Sequence, residues 1–187
     1  MPRLPKISRD DLTNEARRIF DEIVESRGEV DAPFQALLHS PEVLRRTADL
    51  GAYLRFESSL PPWVRELVIL TTAHVHDCRY EWTDHEPKAI EAGIRYQTLR
   101  TIEKGEVPKG LAQGEGVVVG FVLELLRSHR VNKQTFRKAL DWFGTKGVTE
   151  IVATIGYYSM LAAVINAFEI STPMGRAAGS TPNPAES

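Results

Sequence analysis

The amino-acid sequence predicts an all-α protein with a single domain over residues 1–170. Apolar residues recur at helical spacing along most of the chain, whereas the alternating patterns of β-strands are scarce. A length of 187 residues, with 42% hydrophobic and 26% charged residues, suits one globular domain with a sizeable core. Residues 171–187 are rich in Pro, Gly, Ser and Ala and have little to bury, so we expect a flexible tail there.

The N-terminal part of the chain contains two predicted helices. Five apolar residues between Leu12 and Ile23 share one face of the first helix, and Ser8 is a suitable N-cap for it. Residues 40–42, with the sequence Ser-Pro-Glu, supply a cap, a proline at the first helical position and an acid in the first turn. The second helix is therefore expected to begin there and to continue to about Phe56.

Two adjacent helices are predicted in the middle of the chain, after two consecutive prolines. The first covers Trp63 to about His76. The second covers about Cys78 to Ala92 and ends at Gly93, which suits the C′ position of a helix. A loop rich in Gly, Lys and Glu is expected to follow from Lys104 to Gln113.

Three more helices are predicted over residues 116–129, 133–143 and 149–167, with Asn132 and Thr149 as caps of the last two. Residues 151–168 are nearly all apolar and about long enough to be considered as a membrane span. They include several polar side chains, however, and the mean hydropathy of the chain is −0.24. This favours a buried helix, in a core or an oligomer interface, over a membrane span.

The overall composition excludes several functional classes. A net charge of −2 and a pI of about 6.2 give no electrostatic basis for binding nucleic acid or an anionic membrane. A single cysteine, Cys78, excludes internal disulfides and zinc sites built on several thiolates. No glycine-rich phosphate loop indicates a cofactor, and the N-terminus lacks the apolar segment of a secretory signal, so a cytoplasmic location is expected.

The residues with the clearest chemical potential lie between positions 74 and 85. Cys78, Glu81 and His85 fall on one stripe of a helix, because residues three, four and seven apart share a face. A thiol, a carboxylate and an imidazole are thereby predicted to lie within two helical turns. The residues expected to line a substrate pocket beside this stripe are Tyr80, Trp82 and His74.

A further candidate, Glu66, lies in an apolar stretch of the preceding helix. Its carboxylate either faces solvent or is buried with a partner, and burial would raise its pKa and make it a candidate proton carrier. Two carboxylates and one imidazole that are desolvated together can hold different protonation states at neutral pH. General acid–base catalysis on a carbonyl or carboxylate group requires this property.

Each candidate residue also has a purely structural interpretation. Glu66 can be an ordinary helix-surface glutamate, and Cys78 an inert small residue in the core. His85 can be a surface residue or a structural hydrogen bonder. A metal site is not expected, because the four available ligands on one straight helix would span too many turns to converge.

A weak internal repeat relates two parts of the chain. Residues 64–68, Val-Arg-Glu-Leu-Val, match residues 148–152, Val-Thr-Glu-Ile-Val, so that Glu66 corresponds to Glu150. If the repeat is real, an ancestral helical unit was duplicated and only the first copy kept polar chemistry. In the second copy the positions of the Cys, Glu and His are occupied by Ala162, Ile165 and Glu169.

The pattern of these residues resembles the carboxymuconolactone decarboxylase and alkyl hydroperoxidase D superfamily. Members carry a Glu on one helix, followed by Cys-x-x-Cys and a His four residues later; here Cys78 follows Glu66 by twelve residues, and His85 keeps its position. The Tyr-Glu-Trp-x-x-His form at residues 80–85, an Ala-Gly-Ile turn and the ending around residues 155–169 resemble a decarboxylase-like branch. The resemblance covers roughly residues 34–170.

This resemblance implies an alkyl hydroperoxidase D-like fold, in which helical hairpins pack into homo-oligomers such as dimers, trimers or hexamers. Peroxidase members use two cysteines, and Glu81 stands where the second one would be. Because a carboxylate cannot be oxidised and reduced in a disulfide cycle, a two-cysteine peroxidase is not expected.

Our leading hypothesis is a decarboxylase-like lyase that acts on a small organic acid or lactone by acid–base chemistry, without a cofactor. Glu66 would relay or accept a proton, Glu81 and His85 would exchange it with the substrate carbon, and Cys78 would line the pocket. One alternative is a peroxiredoxin-type peroxidase that uses Cys78 alone. Another is a non-catalytic helical protein for binding or assembly.

Overall fold

A computed structural model describes residues 3–107 and 113–172, and within these ranges the chain forms eight α-helices and no β-strand. The all-α fold predicted from the sequence is therefore confirmed. A 3₁₀ turn (Arg9–Asp11) precedes the first helix, and a π-helical turn (Tyr53–Glu57) extends the third. In chain order the helices are α1 (Asn14–Arg27), α2 (Ala32–Leu37), α3 (Pro41–Ala52), α4 (Pro62–Val75), α5 (Arg79–Glu91), α6 (Tyr96–Glu103), α7 (Gln113–Ser128) and α8 (Lys133–Ala167).

Helix α1 begins later than the sequence predicted. Thr13, not Ser8, is its N-cap, and the Thr13 hydroxyl accepts the Ala16 N–H at 3.3 Å. Ser8 precedes the 3₁₀ turn, where its hydroxyl donates to the Asp11 carboxylate at 2.6 Å. The prediction was wrong because both residues can cap a helix, and the 3₁₀ turn separates the first candidate from α1. Leu12 therefore lies before α1, although it is buried.

The last two predicted helices both form, and they follow each other so closely that we describe them as two segments of α8, separated by non-helical backbone at Gly144. The φ angle of Gly144 is 63°, in the left-handed region that glycine adopts without strain. Asn132 caps α8 as predicted, since its side chain accepts hydrogen bonds from two backbone N–H groups. Thr149 is not a cap: it lies inside the helix, and its hydroxyl donates to the Thr145 carbonyl at 2.9 Å.

Two short helices, α2 and α6, were not predicted. They contain six and eight residues, which is too short for a periodic apolar pattern to stand out. The helix predicted from residue 40 to about Phe56 corresponds to α3. Its α-helical part ends at Ala52, and the π-helical turn follows. Residues 108–112 of the predicted loop and residues 173–187 of the predicted tail lie outside the described residues.

Helix α4 is the centre of the fold and packs against α5, α7 and α8. Residues 66–73 of α4 are all buried, as expected for a helix that is apolar on nearly every side. Each fully buried Leu, Ile or Val in this stretch contributes about 1.5–3 kcal/mol to the free energy of unfolding. Glu66 is the single charged residue of the stretch, so this part of α4 carries one buried carboxylate.

Helix α8 is long and apolar enough to be considered as a membrane span, with a mean hydropathy of 1.6 over 18 residues. However, 56% of that window is buried in the fold, and the core helix of a globular protein meets the same criteria. Ile151 and Ile155 pack in the same core as α4, while Tyr157 and Leu161 pack with α1, α2 and α3. Other apolar side chains of α8 are exposed, and the expected homo-oligomer stays a prediction.

Candidate active site

The α4–α5 hairpin brings Glu66 and His85 together. Only three residues connect the two helices, so the chain reverses direction sharply. Asp77 has a positive φ angle of 49°, and the Cys78 N–H donates to the Ala73 carbonyl at 2.8 Å, which closes the turn. The two helices run back along each other, and Glu66 on α4 therefore lies beside the second turn of α5.

Glu66 and His85 form a buried carboxylate–imidazole pair. Glu66 Oε2 lies 2.7 Å from His85 Nδ1, and Glu66 Oε1 lies 3.4 Å from Arg65 Nε. Burial alone would raise the pKa of Glu66, but the hydrogen bond from His85, with the charges of Arg65 and Lys88, brings it below its ordinary value. Glu66 is therefore ionised at neutral pH, and we assign the imidazole proton to Nδ1, from which Glu66 accepts it.

The other nitrogen of His85, Nε2, faces two more carboxyl groups. It lies 3.5 Å from Glu81 Oε2 and 3.7 Å from Asp84 Oδ2. Burial lowers the pKa of His85 by more than the pair with Glu66 raises it, so the imidazole is neutral and Nε2 is unprotonated at neutral pH. Burial, followed by the charges of Asp84 and Asp31, raises the pKa of Glu81 to about 8. A protonated acid thus lies beside an unprotonated nitrogen.

Tyr158 of α8 packs against His85 and was not selected from the sequence. The two rings meet edge to face, with their centroids 5.3 Å apart and their planes at 90°. Burial raises the pKa of Tyr158, so its hydroxyl stays protonated. Its sequence signal was weak, because a tyrosine pair in an apolar helix is typical of an ordinary core.

Arg55 is a second residue that sequence reasoning missed. It lies in the π-helical turn, where the Ser58 N–H donates to the Tyr53 carbonyl five residues earlier at 2.9 Å. Burial is the main influence on the pKa of Glu81, and the positive charge of Arg55 acts against the resulting rise. No sequence pattern marks a π-helical turn, so the position of this guanidinium could not be predicted.

A cleft of about 460 Å³ opens at Glu66. Three cationic and two anionic side chains contribute to its lining. The net positive charge of the lining favours the binding of small anions. Because Glu66 itself lines the cleft, a molecule bound there has direct access to the carboxylate whose other face is paired with His85. The charged lining residues besides Glu66 are Arg55, Arg65, Lys88 and Glu91, and the aromatic ones are Phe56 and Trp63.

Cys78 lies directly before α5 and is 1% exposed. It packs in an apolar cluster with Ala162 and Ile165 of α8. Burial raises the pKa of the thiol to about 11, although the backbone N–H groups of Glu81 and Tyr80 act in the opposite direction. At neutral pH the sulfur is therefore a thiol and not the thiolate that reacts with peroxides.

The predicted pocket residues lie apart from the cleft. Trp82 is 4% exposed and belongs to the main apolar core, and Tyr80 lines a different cavity. His74 lies near Gly105 and Arg127, and burial, with the charge of Arg127, lowers its pKa. Within the described ranges, no three His, Cys, Asp or Glu side chains are placed to hold a metal ion.

One known protein family matches part of this chain. Residues 41–112 match the model of the Carboxymuconolactone decarboxylase family, a segment that includes Glu66, Cys78, Glu81 and His85. No curated protein matches the sequence.

Several solved structures share the fold. An alkylhydroperoxidase AhpD core protein from Ralstonia eutropha JMP134, described as uncharacterized and peroxidase-related, aligns with a TM-score of 0.77 and 18% identity over 92% of this chain and 93% of that chain. A peroxidase-related protein from Silicibacter sp. TM1040 aligns with a TM-score of 0.73 and 18% identity, over 94% of this chain and 93% of that chain. The debrominase Bmp8 aligns with a TM-score of 0.71 and 12% identity, over 90% of this chain and 91% of that chain. The structure of a Cys-to-Ala variant of Bmp8 was solved in complex with 2,3,4-tribromopyrrole.

At these identities the structural likeness establishes the fold, and the family match adds the motif. The chain therefore has the helical fold of these proteins, and over residues 41–112 it is similar to the Carboxymuconolactone decarboxylase family. The proteins named above differ in the reactions for which they are named.

Proposed function

We propose that this protein is a proton-transfer enzyme, related to the lactone decarboxylases, that acts on a small organic acid or lactone. The observation that carries the proposal is that Glu66, His85 and Glu81 follow one another in space. Glu66 Oε2 lies 2.7 Å from His85 Nδ1, and His85 Nε2 lies 3.5 Å from Glu81 Oε2. The three side chains are buried, and only Glu66 lines the cleft. Glu66 is therefore the group that would touch the substrate, with the other two as a relay behind it.

Proton delivery follows from the protonation states of the three groups. Glu81 gives its proton to His85 Nε2, His85 gives the Nδ1 proton to Glu66, and Glu66 protonates a carbanion in the cleft. Each step breaks one bond to hydrogen and forms another, and the relay ends with Glu81 ionised. Proton removal from a substrate carbon uses the same steps in reverse.

Decarboxylation gives a carbanion of this kind when the substrate supplies an electron sink, such as a lactone or an unsaturated carbonyl group. The positive charges of Arg55, Arg65 and Lys88 beside the cleft would hold the anionic substrate and stabilise the negative charge that develops on its oxygen. Tyr158 would keep the His85 ring in its orientation, because the two rings are in edge-to-face contact.

The proposal is tested with a panel of carboxylated lactones, β-keto acids and unsaturated acids. Binding is found by thermal shift, and CO₂ release and deuterium incorporation from D₂O at carbon are then followed by NMR. The wild type should turn over at least one of these compounds, and Glu66→Gln and His85→Ala should each slow the reaction by about 10²–10⁴-fold. The proposal is wrong if these variants leave the turnover of every accepted substrate unchanged.

A peroxidase that uses only Cys78 is the alternative from the same superfamily, and the burial and raised pKa of the thiol do not support it. Exposure to one equivalent of hydrogen peroxide should give no sulfenic acid that dimedone can label. Labelling of Cys78, or bromide release from 2,3,4-tribromopyrrole that is lost in Cys78→Ala, would favour thiol chemistry instead.

A non-catalytic role in binding or assembly is the third hypothesis. It predicts candidate residues that are separated and exposed to solvent, whereas Glu66 and His85 are in contact and buried. Failure of the whole substrate panel, together with unchanged binding in Glu66→Gln, would favour it.

A further inference from the structure

The three cations that line the cleft at Glu66 differ in their partners. Arg65 Nε lies 3.4 Å from the Glu66 carboxylate, and the Lys88 ammonium donates to the Asp84 carboxylate. In the described part of the chain, no carboxylate lies within ion-pair distance of the guanidinium of Arg55, whose contact is with an aromatic ring. Among these three cations, Arg55 is therefore the one that no described carboxylate neutralises.

The aromatic ring in contact with Arg55 belongs to Phe56. Arg55 Cζ lies over this ring, 5.3 Å from its centroid, and both side chains line the cleft. Both residues belong to the π-helical turn. Phe56 is 65% exposed, so the fold leaves much of its ring uncovered. The cleft thus offers a cation and an open aromatic surface side by side.

The second aromatic residue of the cleft, Trp63, is held by packing. Its ring centroid lies 6.2 Å from that of Phe143, and a Cβ atom at Gly114 would lie 2.9 Å from its ring. Trp63 is partly buried and packs against the main apolar core. An aromatic ligand gains from offset or edge-to-face contact with such rings, and this gain adds to that from apolar burial.

The charges of the lining favour a ligand with a single carboxylate. A guanidinium can bind one carboxylate through two parallel, charge-assisted hydrogen bonds. A second carboxylate would need Arg65 or Lys88, which are already paired, and it would share the cleft with the carboxylates of Glu66 and Glu91. Because like charges in contact weaken binding, a dianion is disfavoured.

Arg55 also lies close to the proton relay. Burial is the main cause of the raised pKa of both Glu81 and Tyr158, and the positive charge of Arg55 acts against both rises. Glu66, the first group of the relay, lines the same cleft as Arg55. A carboxylate bound by Arg55 would thus be held near the groups that we assign to proton transfer.

We propose that the cleft selects an aromatic ring that bears one carboxylate, with the carboxylate bound by Arg55 and the ring in contact with Phe56 and Trp63. Arg55 is then the residue that determines the specificity for the acid group. This inference deepens the proposed function and rests on it for the role of the cleft as the substrate site. The binding preference itself is an equilibrium property, so it is measured without turnover.

The probe is benzoate, compared with three analogues at pH 7 and one ionic strength. Benzamide lacks the charge, cyclohexanecarboxylate lacks the aromatic ring, and terephthalate carries a second carboxylate. Dissociation constants are measured by NMR titration of the full chain, and intermolecular NOEs locate the ligand. We expect benzoate to bind about tenfold more tightly than benzamide or terephthalate and about threefold more tightly than cyclohexanecarboxylate, with NOEs to Phe56 and Trp63.

Three results of this titration would overturn the proposal. They are the absence of benzoate binding, NOEs only to residues outside the cleft, and an affinity for terephthalate or benzamide equal to that for benzoate.

Variants of two arginines test the assignment of the carboxylate to Arg55. Arg55→Gln should lower the affinity for benzoate about tenfold and leave that for benzamide unchanged, because only the charged pair is lost. Arg65→Gln should cause a smaller loss, since Arg65 is paired with Glu66. The control is Arg137→Gln, the same substitution at an exposed position of α8 outside the cleft, which should change neither affinity. Equal losses in the Arg55 and Arg65 variants would show that the overall charge of the lining holds the anion, and would overturn the assignment.

Phe56→Leu tests the aromatic contact at an exposed position, where the substitution should leave the fold intact, as judged by circular dichroism. The affinity for benzoate should decrease about threefold and that for cyclohexanecarboxylate should stay unchanged, because only the contact between aromatic rings is lost. Equal losses for the two ligands would contradict the selection of an aromatic ring.

The binding experiments and the turnover assay can fail separately. Benzoate binding that depends on Arg55, without turnover of any compound in the substrate panel, would refute the proton-transfer function and support the binding preference of the cleft. Turnover of a carboxylate substrate with the same KM in wild type and Arg55→Gln would support proton transfer and overturn this inference.

Discussion

Glu66 and Glu150 occupy equivalent positions in the two matching segments, and both carboxylates are buried. Their partners differ. Glu150 accepts hydrogen bonds from the Tyr53 hydroxyl at 2.7 Å, the Ser59 N–H at 2.9 Å and the Ser59 hydroxyl at 2.5 Å. Glu66 is paired with the imidazole of His85.

This difference separates a structural carboxylate from one suited to chemistry. Burial opposes the ionisation of both groups, and hydrogen bonds bring the pKa of each below its ordinary value. The direction of the pKa shift therefore does not distinguish them. The hydroxyl and amide donors at Glu150 do not ionise near neutral pH, whereas an imidazole gains and loses a proton in this range. Glu150 thus anchors the segment around Tyr53 and Ser59, and only Glu66 can pass on a proton.

The sharpest test of this comparison replaces each glutamate by glutamine. Glu66→Gln should lower kcat on any accepted substrate by about 10²–10⁴-fold with little change in stability, because an amide cannot act as a base. Glu150→Gln should change kcat by less than about threefold and lower the free energy of unfolding by about 1–3 kcal/mol, since its amide NH₂ cannot accept. Steady-state kinetics and urea denaturation measure the two effects, and a kinetic defect of equal size in both variants would contradict the comparison.

The pH dependence of stability is the next largest expected effect. The pKa of Glu81 is about 8 in the folded protein against an ordinary value of 4.5, so the folded chain retains a proton that the unfolded chain loses. The protonated Glu81 side chain therefore contributes to the free energy of unfolding. This contribution is complete below pH 4.5 and is lost as the pH rises through 8. The loss should be on the order of a few kcal/mol, and Glu81→Gln should remove it.

Urea denaturation at pH 5, 7 and 9 measures this effect in wild type and Glu81→Gln. The variant should gain stability over the wild type as the pH increases. Parallel pH profiles for the two proteins would show that Glu81 ionises normally in the folded state. Above pH 8, the wild type should also lose turnover, because the relay starts from protonated Glu81.

Cys78 provides a third test, since the comparison assigns no proton or electron transfer to sulfur. With a pKa of about 11, the thiol should react slowly with iodoacetamide, and the rate should still be rising at pH 9. Cys78→Ala should keep kcat within about threefold of wild type, because Cys78 is buried in an apolar cluster and does not line the cleft. A midpoint of the alkylation rate near pH 7, measured by mass spectrometry, would contradict both statements.

Two helical glycines give the smallest expected effects. A Cβ atom at Gly114 would lie 2.9 Å from the Trp63 ring, which lines the cleft, whereas nothing lies within 4 Å of a Cβ at Gly156. Gly156→Ala should therefore stabilise α8 by about 0.5–1 kcal/mol. Gly114→Ala should destabilise the fold by about 1 kcal/mol and weaken substrate binding at the cleft. Thermal denaturation and KM measure these changes, and equal stability changes in the two variants would show that Trp63 moves freely.

The sequence predicted the helical class, because helical spacing of apolar residues is a local pattern. It also marked Glu66 as a charged residue in an apolar helix, but it left open whether the carboxylate faces solvent or is buried with a partner. It did not distinguish Ser8 from Thr13 as the cap of α1, since both side chains are suitable. It also missed α2 and α6, whose few turns give no periodic signal.

Parts of the site were outside the reach of sequence reasoning for a different reason. Tyr158 reaches His85 from a helix more than seventy residues away, and such a contact depends on how α8 packs on the α4–α5 hairpin. Trp82 was expected beside a pocket because it neighbours Glu81, but adjacent residues of a helix point in directions about 100° apart, and it packs in the core. The catalytic roles of Glu66, Cys78, Glu81 and His85 stay predictions.

The π-helical turn of residues 53–57 has a consequence for how relatives of this chain should be aligned. A π-helical turn holds one residue more than an α-helical turn, so deleting one residue would rotate the following side chains by about 100°. Arg55 would then no longer face the cleft, although its codon would be intact. The presence of a cation at the cleft therefore depends on the length of this turn as well as on the arginine itself. In an alignment, a one-residue gap in residues 53–57 would indicate the loss of this cation just as a substitution of Arg55 would.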